Sequence, residues 1–179
     1  PGTSRGRLDE VAARHPGANL TVVEGSLASE EDCAKLLPGV DVIVHLAAAM
    51  KGTPEHIFGS TVVATQHLLE AIRHLPSPAD GGAPRPKIVH CSSFSVYGVA
   101  DLPKGALIDE TTPLEPHPDR RDLYAQAKLR QEKLIHEYAT QHGLAATIAR
   151  PGVIYGPGGP AMSTRVGLFA RGLFVQLGG

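Results

Sequence analysis

The chain of 179 residues carries 17 lysines and arginines against 18 aspartates and glutamates, so its formal net charge is −1. With 42% hydrophobic and 20% charged residues, this balance excludes a disordered tail and argues against a nucleic-acid-binding surface. No apolar run approaches the roughly 18 residues that span a bilayer. The two cysteines, Cys33 and Cys91, are too few for a disulfide scaffold. We therefore expect one cytoplasmic domain over residues 1–179, without a membrane or nucleic-acid partner.

Helical and strand patterns alternate along the chain. Helices are predicted at residues 7–15, 29–37, 54–75 and 119–142. Strands are predicted at residues 20–24, 40–46, 87–92 and 144–149. The apolar run at 40–46 is nearly continuous, which is typical of a strand buried on both faces. This alternation predicts an α/β fold with a doubly wound, Rossmann-like parallel sheet.

The ends of the chain depart from the usual dinucleotide-binding pattern. Such domains open with a strand, a Gly-rich turn and a helix, whereas Gly2 and Gly6 here follow no apolar run. The glycines at 156–159 lie among prolines, which suits a turn. The last residues, FVQLGG, follow what reads as the start of a helix. We therefore expect a domain that is truncated at both ends.

Tyr124 and Lys128 form the sharpest chemical signal, because residues four apart share one face of a helix. The pair alone is weak, since an exposed tyrosine beside a solvated lysine is common. Its context is more specific. Ligands of parallel sheets gather at the carboxyl ends of strands, and Ser93, residues 46–49 and residues 150–157 each follow a predicted strand. We expect these strand ends and the Tyr/Lys helix to meet in one crevice.

Four segments, HLAAA, SSFSVYG, YAQAK and RPGVIYGP, occur in this order. With them the chain resembles the extended short-chain dehydrogenase/reductase family of NAD-dependent sugar epimerases and dehydratases, from about Leu20 to Pro157. The resemblance implies a catalytic triad of Ser93, Tyr124 and Lys128. It also implies a Gly-rich loop before residue 1 and a substrate-binding lobe after residue 179.

The resemblance implies further residues that contact the cofactor, NAD or NADP, and the substrate. The implied cofactor contacts are Ser26, Leu27, Leu46, Ala47, Ala48, Tyr124, Lys128 and Pro151. The implied substrate contacts are Ser93, Tyr97 and Tyr124. The residue types suit the chemistry. A tyrosine hydroxyl titrates near about 10, and a lysine ammonium one turn away favours the phenolate that takes a proton from a sugar hydroxyl.

The leading hypothesis is an NAD(P)-dependent enzyme that epimerises or dehydrates a nucleotide-sugar through a keto-sugar. One alternative is an NAD(P)H-dependent ketone or aldehyde reductase, which would consume its cofactor. A second alternative is a non-catalytic, cofactor-sensing protein. It is suggested by Ser26, where the family usually has Asp, by Thr61, where Asn is common, and by Met50, where some sugar epimerases have a cofactor-contacting Lys. The family also implies a homodimer through the helices at 54–75 and 119–142.

The nine histidines show no spacing typical of a metal site. His45 is therefore predicted to be a packed strand histidine rather than a ligand.

Overall fold

The computed structural model describes residues 5–76, 81–82 and 84–154, and the backbone of two further strands at 167–170 and 173–176. Its helices are α1 (Arg5–Arg14), α2 (Glu30–Leu36), α3 (Pro54–Phe58), α4 (Ala64–Arg73) and α5 (Leu123–His142). Its strands are β1 (Val42–His45), β2 (Lys87–Cys91), β3 (Ala146–Ala149), β4 (Gly167–Ala170) and β5 (Leu173–Gln176).

Strands β1, β2 and β3 form a parallel sheet in that order. Val42 is opposite Lys87 in the first pair, and Ile88 is opposite Ala146 in the second. Each connection runs through helices, α3 and α4 after β1 and α5 after β2. Because crossovers are right-handed and the strand order follows the chain order, both connections lie on the same face of the sheet. The predicted parallel α/β sheet is confirmed.

An apolar core fills the space between this face of the sheet and helices α2, α4 and α5. Its buried members are Cys33, Leu37, Leu68, Leu69, Ala71, Ile72, Ile88, Ile135 and Leu144. Helix α4 supplies four of these side chains at the spacing of one helical face. The core therefore packs α4 and α5 against the middle strand. This packing fixes the position of α5 along the strand direction, and so which of its residues lie near the strand ends.

Two helix termini follow the sequence signals directly. The Ser29 hydroxyl accepts a hydrogen bond from the Asp32 amide and caps α2. Gly143 ends α5 with φ at 65°, a left-handed conformation that favours glycine. The predicted start of this helix at 119 is early. Residues 118–120 form a 3-10 turn, and the Asp122 carboxylate caps α5 by accepting from the Ala125 amide.

The helix predicted at 54–75 contains an irregularity that its sequence does not announce. Between α3 and α4 the chain forms one turn of π-helix, Gly59–Val63. Such turns insert an extra residue into a helix and often occur at functional sites. Here the turn carries the buried Thr61, so it changes which side chains face the end of β1.

Three expectations need correction. Residues 20–24 form no strand, because none of the described strands pairs with this β-branched run and supplies its hydrogen bonds. Strand β1 is not buried on both faces: Ile43 packs on the core, but Val42 and Val44 are at least half exposed. No described helix covers that second face. Near the C-terminus, β4 and β5 pair as an antiparallel hairpin where a helix was expected.

Candidate active site

Ser93 follows β2 directly and caps a 3-10 turn at Phe94–Val96. Its hydroxyl oxygen accepts a hydrogen bond from the Ser95 amide at 3.2 Å and lies 3.0 Å from the Ser95 hydroxyl. A hydroxyl that accepts from these groups keeps its own hydrogen for another acceptor. The end of β2 thus presents a positioned O–H donor.

The first two turns of α5 carry Tyr124, which is half-buried, and Lys128, which is buried with 2% exposed. The Lys128 ammonium lies 5.9 Å from the centre of the Tyr124 ring. It donates a hydrogen bond of 2.8 Å to the carbonyl oxygen of Cys91, the last residue of β2. The predicted Tyr/Lys pair is therefore held against the strand end that leads into Ser93.

Burial governs the charges around Lys128. Desolvation lowers the pKa of its ammonium, and the neighbouring Cys91 and Glu132 oppose that shift. Burial, with a smaller contribution from the Lys128 charge, lowers the pKa of His45 to about 4 and that of His90 to about 3. Both imidazoles are therefore neutral at pH 7, which avoids further positive charge beside the lysine.

The segment after β1 was predicted to line the cofactor. Leu46 is mostly exposed, whereas Ala47 and Ala48 are half-buried. Their small side chains leave the backbone accessible at the carboxyl end of the strand, which is where ligands bind in open α/β sheets.

Ser26 and Leu27 lie in the loop that leads into α2. The Ser26 amide donates to the Asp32 carboxylate at 3.0 Å, and its hydroxyl accepts from the Ala28 amide at 3.1 Å. That amide contact is the main cause that lowers the pKa of Asp32. Leu27 packs against the apolar core. In this structure both residues fix the loop that precedes α2. Their contact with a cofactor stays a prediction.

A cleft of about 320 Å³ opens beside Ser93. Its lining residues are Ser93, Phe94, Ser95, Tyr97, Val99, Arg121, Pro151, Gly152 and Val153. The Pro151 carbonyl accepts from the Phe94 amide at 2.9 Å, which ties the segments after β2 and β3 together. Of the predicted site residues, the structure thus brings Ser93, Tyr97 and Pro151 into one cavity.

Tyr97 is buried, and its hydroxyl oxygen accepts a hydrogen bond from the Arg150 guanidinium at 3.2 Å. The same guanidinium stacks 4.9 Å from the centre of the Tyr97 ring. Arg121 donates to the Tyr97 carbonyl at 3.2 Å and pairs with Glu115 at 2.9 Å. These contacts fix Tyr97 as part of the cleft wall.

Sequence reasoning singled out neither Gln131 nor Glu132, and it included Arg150 only within the segment at 150–157. Glu132 binds the Arg150 guanidinium through two hydrogen bonds of 3.0 and 2.8 Å. Gln131 reaches the segment after β1, where its amide nitrogen lies 3.4 Å from the Ala47 carbonyl oxygen. The available signal was spacing, since these two α5 residues lie three and four positions after Lys128 and share its helix face.

Helix α5 therefore reaches the ends of all three parallel strands. Gln131 contacts the end of β1, Lys128 the end of β2 and Glu132 the arginine that follows β3. The described residues include no cluster of metal-binding side chains and no helix with the length and hydropathy of a membrane span.

Comparison with known proteins decides the family. The model of the NAD-dependent epimerase/dehydratase family matches residues 3–172. The chain belongs to this family. It is 29% identical over 159 residues to the dTDP-glucose 4,6-dehydratase of Mycolicibacterium smegmatis, covering 86% of this chain and 43% of that protein. It is 34% identical over 148 residues to an uncharacterized UDP-glucose epimerase of Bacillus subtilis, covering 79% and 42%.

The fold agrees with this membership. The crystal structure of UDP-glucuronic acid 4-epimerase from Bacillus cereus, in complex with NAD, superimposes with a TM-score of 0.65. The sequence identity is 25%, and the match covers 84% of this chain and 45% of that one. The chain thus spans less than half the length of these relatives. The predicted family and Rossmann-like fold class are confirmed.

Proposed function

We propose that this chain is the cofactor-binding and catalytic part of an NAD-dependent nucleotide-sugar epimerase. The observation that carries the proposal is the placement of Lys128, beneath the Tyr124 ring and hydrogen-bonded to the strand that leads into Ser93. The family membership supports the same chemistry. NADP in place of NAD is the alternative cofactor.

The chain's residues fit the nicotinamide end of such a cofactor. An ammonium has three hydrogens, and Lys128 directs one to the Cys91 carbonyl, which leaves two for the hydroxyls of a ribose. Ala47 and Ala48 after β1, and Pro151 after β3, offer small or flat surfaces on either side of the end of β2. When bound, the nicotinamide supplies the site that accepts a hydride and returns it.

Three side chains divide the proton chemistry. Tyr124 takes the proton from a sugar hydroxyl as its carbon is oxidised and gives it back on reduction. Lys128 stabilises the phenolate by its positive charge. Ser93 donates its remaining hydrogen to the same sugar oxygen and orients it. In an epimerisation the keto-sugar rotates in the site between oxidation and reduction, so that the hydride returns to the opposite face of the sugar carbonyl.

The cleft favours epimerisation over dehydration. Loss of water needs an acid that protonates the departing hydroxyl, and the described lining residues include no carboxylic acid. Their charged member, Arg121, is paired with Glu115.

The test uses the full-length protein with NAD and either UDP-glucose or dTDP-glucose. Replacing Tyr124 with Phe removes the proton-transfer group and should lower turnover by about 10²–10⁴-fold while leaving the fold intact. Sugar products are resolved by NMR, and circular dichroism checks folding. Unchanged turnover in Y124F would refute the role of Tyr124 as the proton-transfer group. A wild-type protein that binds NAD but turns over neither sugar would favour a cofactor-sensing protein.

The reductase alternative is separated by a second assay of the same protein, which supplies NADH together with a ketone or aldehyde. An epimerase leaves the absorbance of NADH at 340 nm constant over a complete cycle, because the hydride returns to the sugar. A ketone or aldehyde reductase consumes NADH in proportion to product. Steady loss of this absorbance, without sugar isomerisation, would replace the proposal by the reductase.

We further propose a cytoplasmic homodimer in which the residues 1–179 act as one domain. The two free cysteines suit a reducing compartment. Helices α4 and α5 pack side by side on one face of the sheet, and in the dimer the pairs from two copies form a helical bundle. Light scattering of the full-length protein gives its mass, and a monomer at micromolar concentration would contradict the dimer.

A further inference from the structure

The end of β1 rests on a buried polar network that no sequence motif singled out. Thr61 and Thr65 come from the π-helical turn and α4, His45 from β1, and Gln131 from α5. All four side chains are buried, with at most 3% exposed. Buried polar groups in proteins are mostly hydrogen-bonded. The Gln131 side-chain oxygen is an exception among the described residues, and the other hydrogen bonds of the network specify one arrangement of these elements.

Hydroxyl geometry assigns the donors. The Thr65 hydroxyl donates to the Thr61 carbonyl at 2.6 Å, so it accepts from the His45 Nε2 atom, which lies 2.8 Å away. The histidine is then the neutral Nε2–H tautomer, in line with its lowered pKa. The same hydroxyl oxygen also accepts from the Gln131 amide at 2.7 Å.

The Gln131 amide nitrogen is the hub of this network. Its two hydrogens face three acceptors, the Thr65 hydroxyl oxygen at 2.7 Å, the Thr61 carbonyl oxygen at 3.2 Å and the Ala47 carbonyl oxygen at 3.4 Å. One hydrogen is therefore shared between the two carbonyls. Two carbonyl oxygens on this side fix the amide orientation, because the reversed amide would turn its own oxygen toward them. Gln131 thereby ties α5 to the π-helical turn and to the segment after β1.

Thr61 completes the connection to the same segment. Its hydroxyl accepts a hydrogen bond of 2.9 Å from the Ala49 amide. The backbone at 47–49 is therefore held at two points, by Gln131 at the Ala47 carbonyl and by Thr61 at the Ala49 amide. Because Gln131 is one helical turn from Lys128, this anchorage sets the distance between the lysine and the alanine segment.

We propose that Gln131 and Thr61 are positioning residues, which hold the alanine segment 47–49 at the cofactor-binding distance from Lys128. The inference rests on the proposed function and concerns a part of it that the catalytic triad leaves open. Without these contacts the segment moves from this position. Residues 47–49 and Lys128 are then no longer at the distance that lets both contact one cofactor molecule.

The test measures NADH binding to the full-length protein by fluorescence, together with the thermal midpoint of each variant. Q131M keeps the side-chain length and removes the amide, while T61V keeps the shape and removes the hydroxyl. Both should weaken NADH binding about tenfold, the effect of one well-placed hydrogen bond. T61S keeps the hydroxyl and should bind NADH several-fold more tightly than T61V.

I135V is the matched control, because it loosens the core beneath the same helix without touching the network. It should lower the thermal midpoint and leave NADH affinity unchanged. NADH binding at the wild-type level in both Q131M and T61V would overturn the positioning role, as would equal weakening in I135V. If the wild-type protein binds no NADH, both the proposed function and the positioning role fail. If the wild-type protein binds NADH and Y124F is inactive, the proposed function stands, and the NADH affinities of Q131M and T61V then test the positioning role alone.

Discussion

The two halves of helix α5 face different surroundings. Its first half, up to Glu132, places a lysine, a glutamine and a glutamate in buried positions against the strand ends. Its second half, from Ile135, packs apolar side chains on the core shared with α2 and α4. Burial of polar groups costs free energy unless each is paired, whereas apolar burial stabilises without a specific partner. The comparison separates the part that holds the fold from the part that positions the site.

The largest effect is expected in the apolar half. Ile135 is fully buried in the core, and Ile135→Ala removes side-chain volume that its surroundings cannot refill. The free energy of unfolding should fall by about 3 kcal/mol, within the roughly 2–5 kcal/mol seen for such changes. Urea denaturation of the full-length protein measures it. A loss below about 1 kcal/mol would show that this half is not close-packed.

A substitution in the polar half should lower stability for a different reason, because it leaves a charged group unpaired. Glu132→Ala leaves the Arg150 guanidinium without the carboxylate that chiefly raises its pKa. Breaking such a buried pair should lower the free energy of unfolding by about 2–3 kcal/mol, less than for a fully buried pair because Arg150 is a fifth exposed.

The double variant E132M/R150M tests the mechanism of that loss. It removes both charges and should be more stable than E132A by urea denaturation, because no buried charge is left unpaired. If the double variant is instead less stable than E132A, then apolar packing rather than charge pairing accounts for the effect.

The smallest expected effect is an increase in stability, on replacing the buried His90. His90 is fully buried, and neither of its ring nitrogens has a hydrogen-bond partner among the described residues. His90→Phe keeps a flat ring and removes the unpaired polar atoms, so it should stabilise the protein by about 1 kcal/mol at pH 7. Lower stability, measured by urea denaturation at pH 7, would indicate that the imidazole has a partner in solution.

The acid dependence of stability follows from the same residue. The pKa of His90 is about 3 in the folded protein against 6.5 unperturbed, so between these values the unfolded state binds more protons. The contribution of His90 to stability is therefore present above pH 6.5 and is lost as the pH drops toward 3. His45, with a pKa of about 4, adds to this loss. Lys128 is the charge that both imidazoles face. H90F should show a shallower decline; an identical slope would contradict this.

Local patterns account for much of what was predicted. The capping hydroxyl of Ser29, the left-handed Gly143 and the four-residue spacing of Tyr124 and Lys128 depend on residues within one or two helical turns. Such features are set by backbone geometry near each residue. His45 was predicted to be a packed strand histidine, and the structure confirms it.

The errors share a different origin. Residues 20–24 have strand propensity, but a strand forms only when another strand pairs with it. The π-helical turn at Gly59–Val63 has no local signal and is accompanied by hydrogen bonds of Thr61 to distant segments. Gln131 looked like an ordinary helix residue, since its partners lie 66 to 86 positions away.

The sequence by itself determined the parallel α/β class, the family and the pairing of Tyr124 with Lys128, because periodicity and motif spacing are local properties. Only the tertiary structure decided which side chains meet at the strand ends. Gln131 reaches Ala47, and Glu132 reaches Arg150, through contacts between elements distant along the chain. Such contacts follow from how the apolar core sets α5 against the sheet, and no window of sequence contains that information.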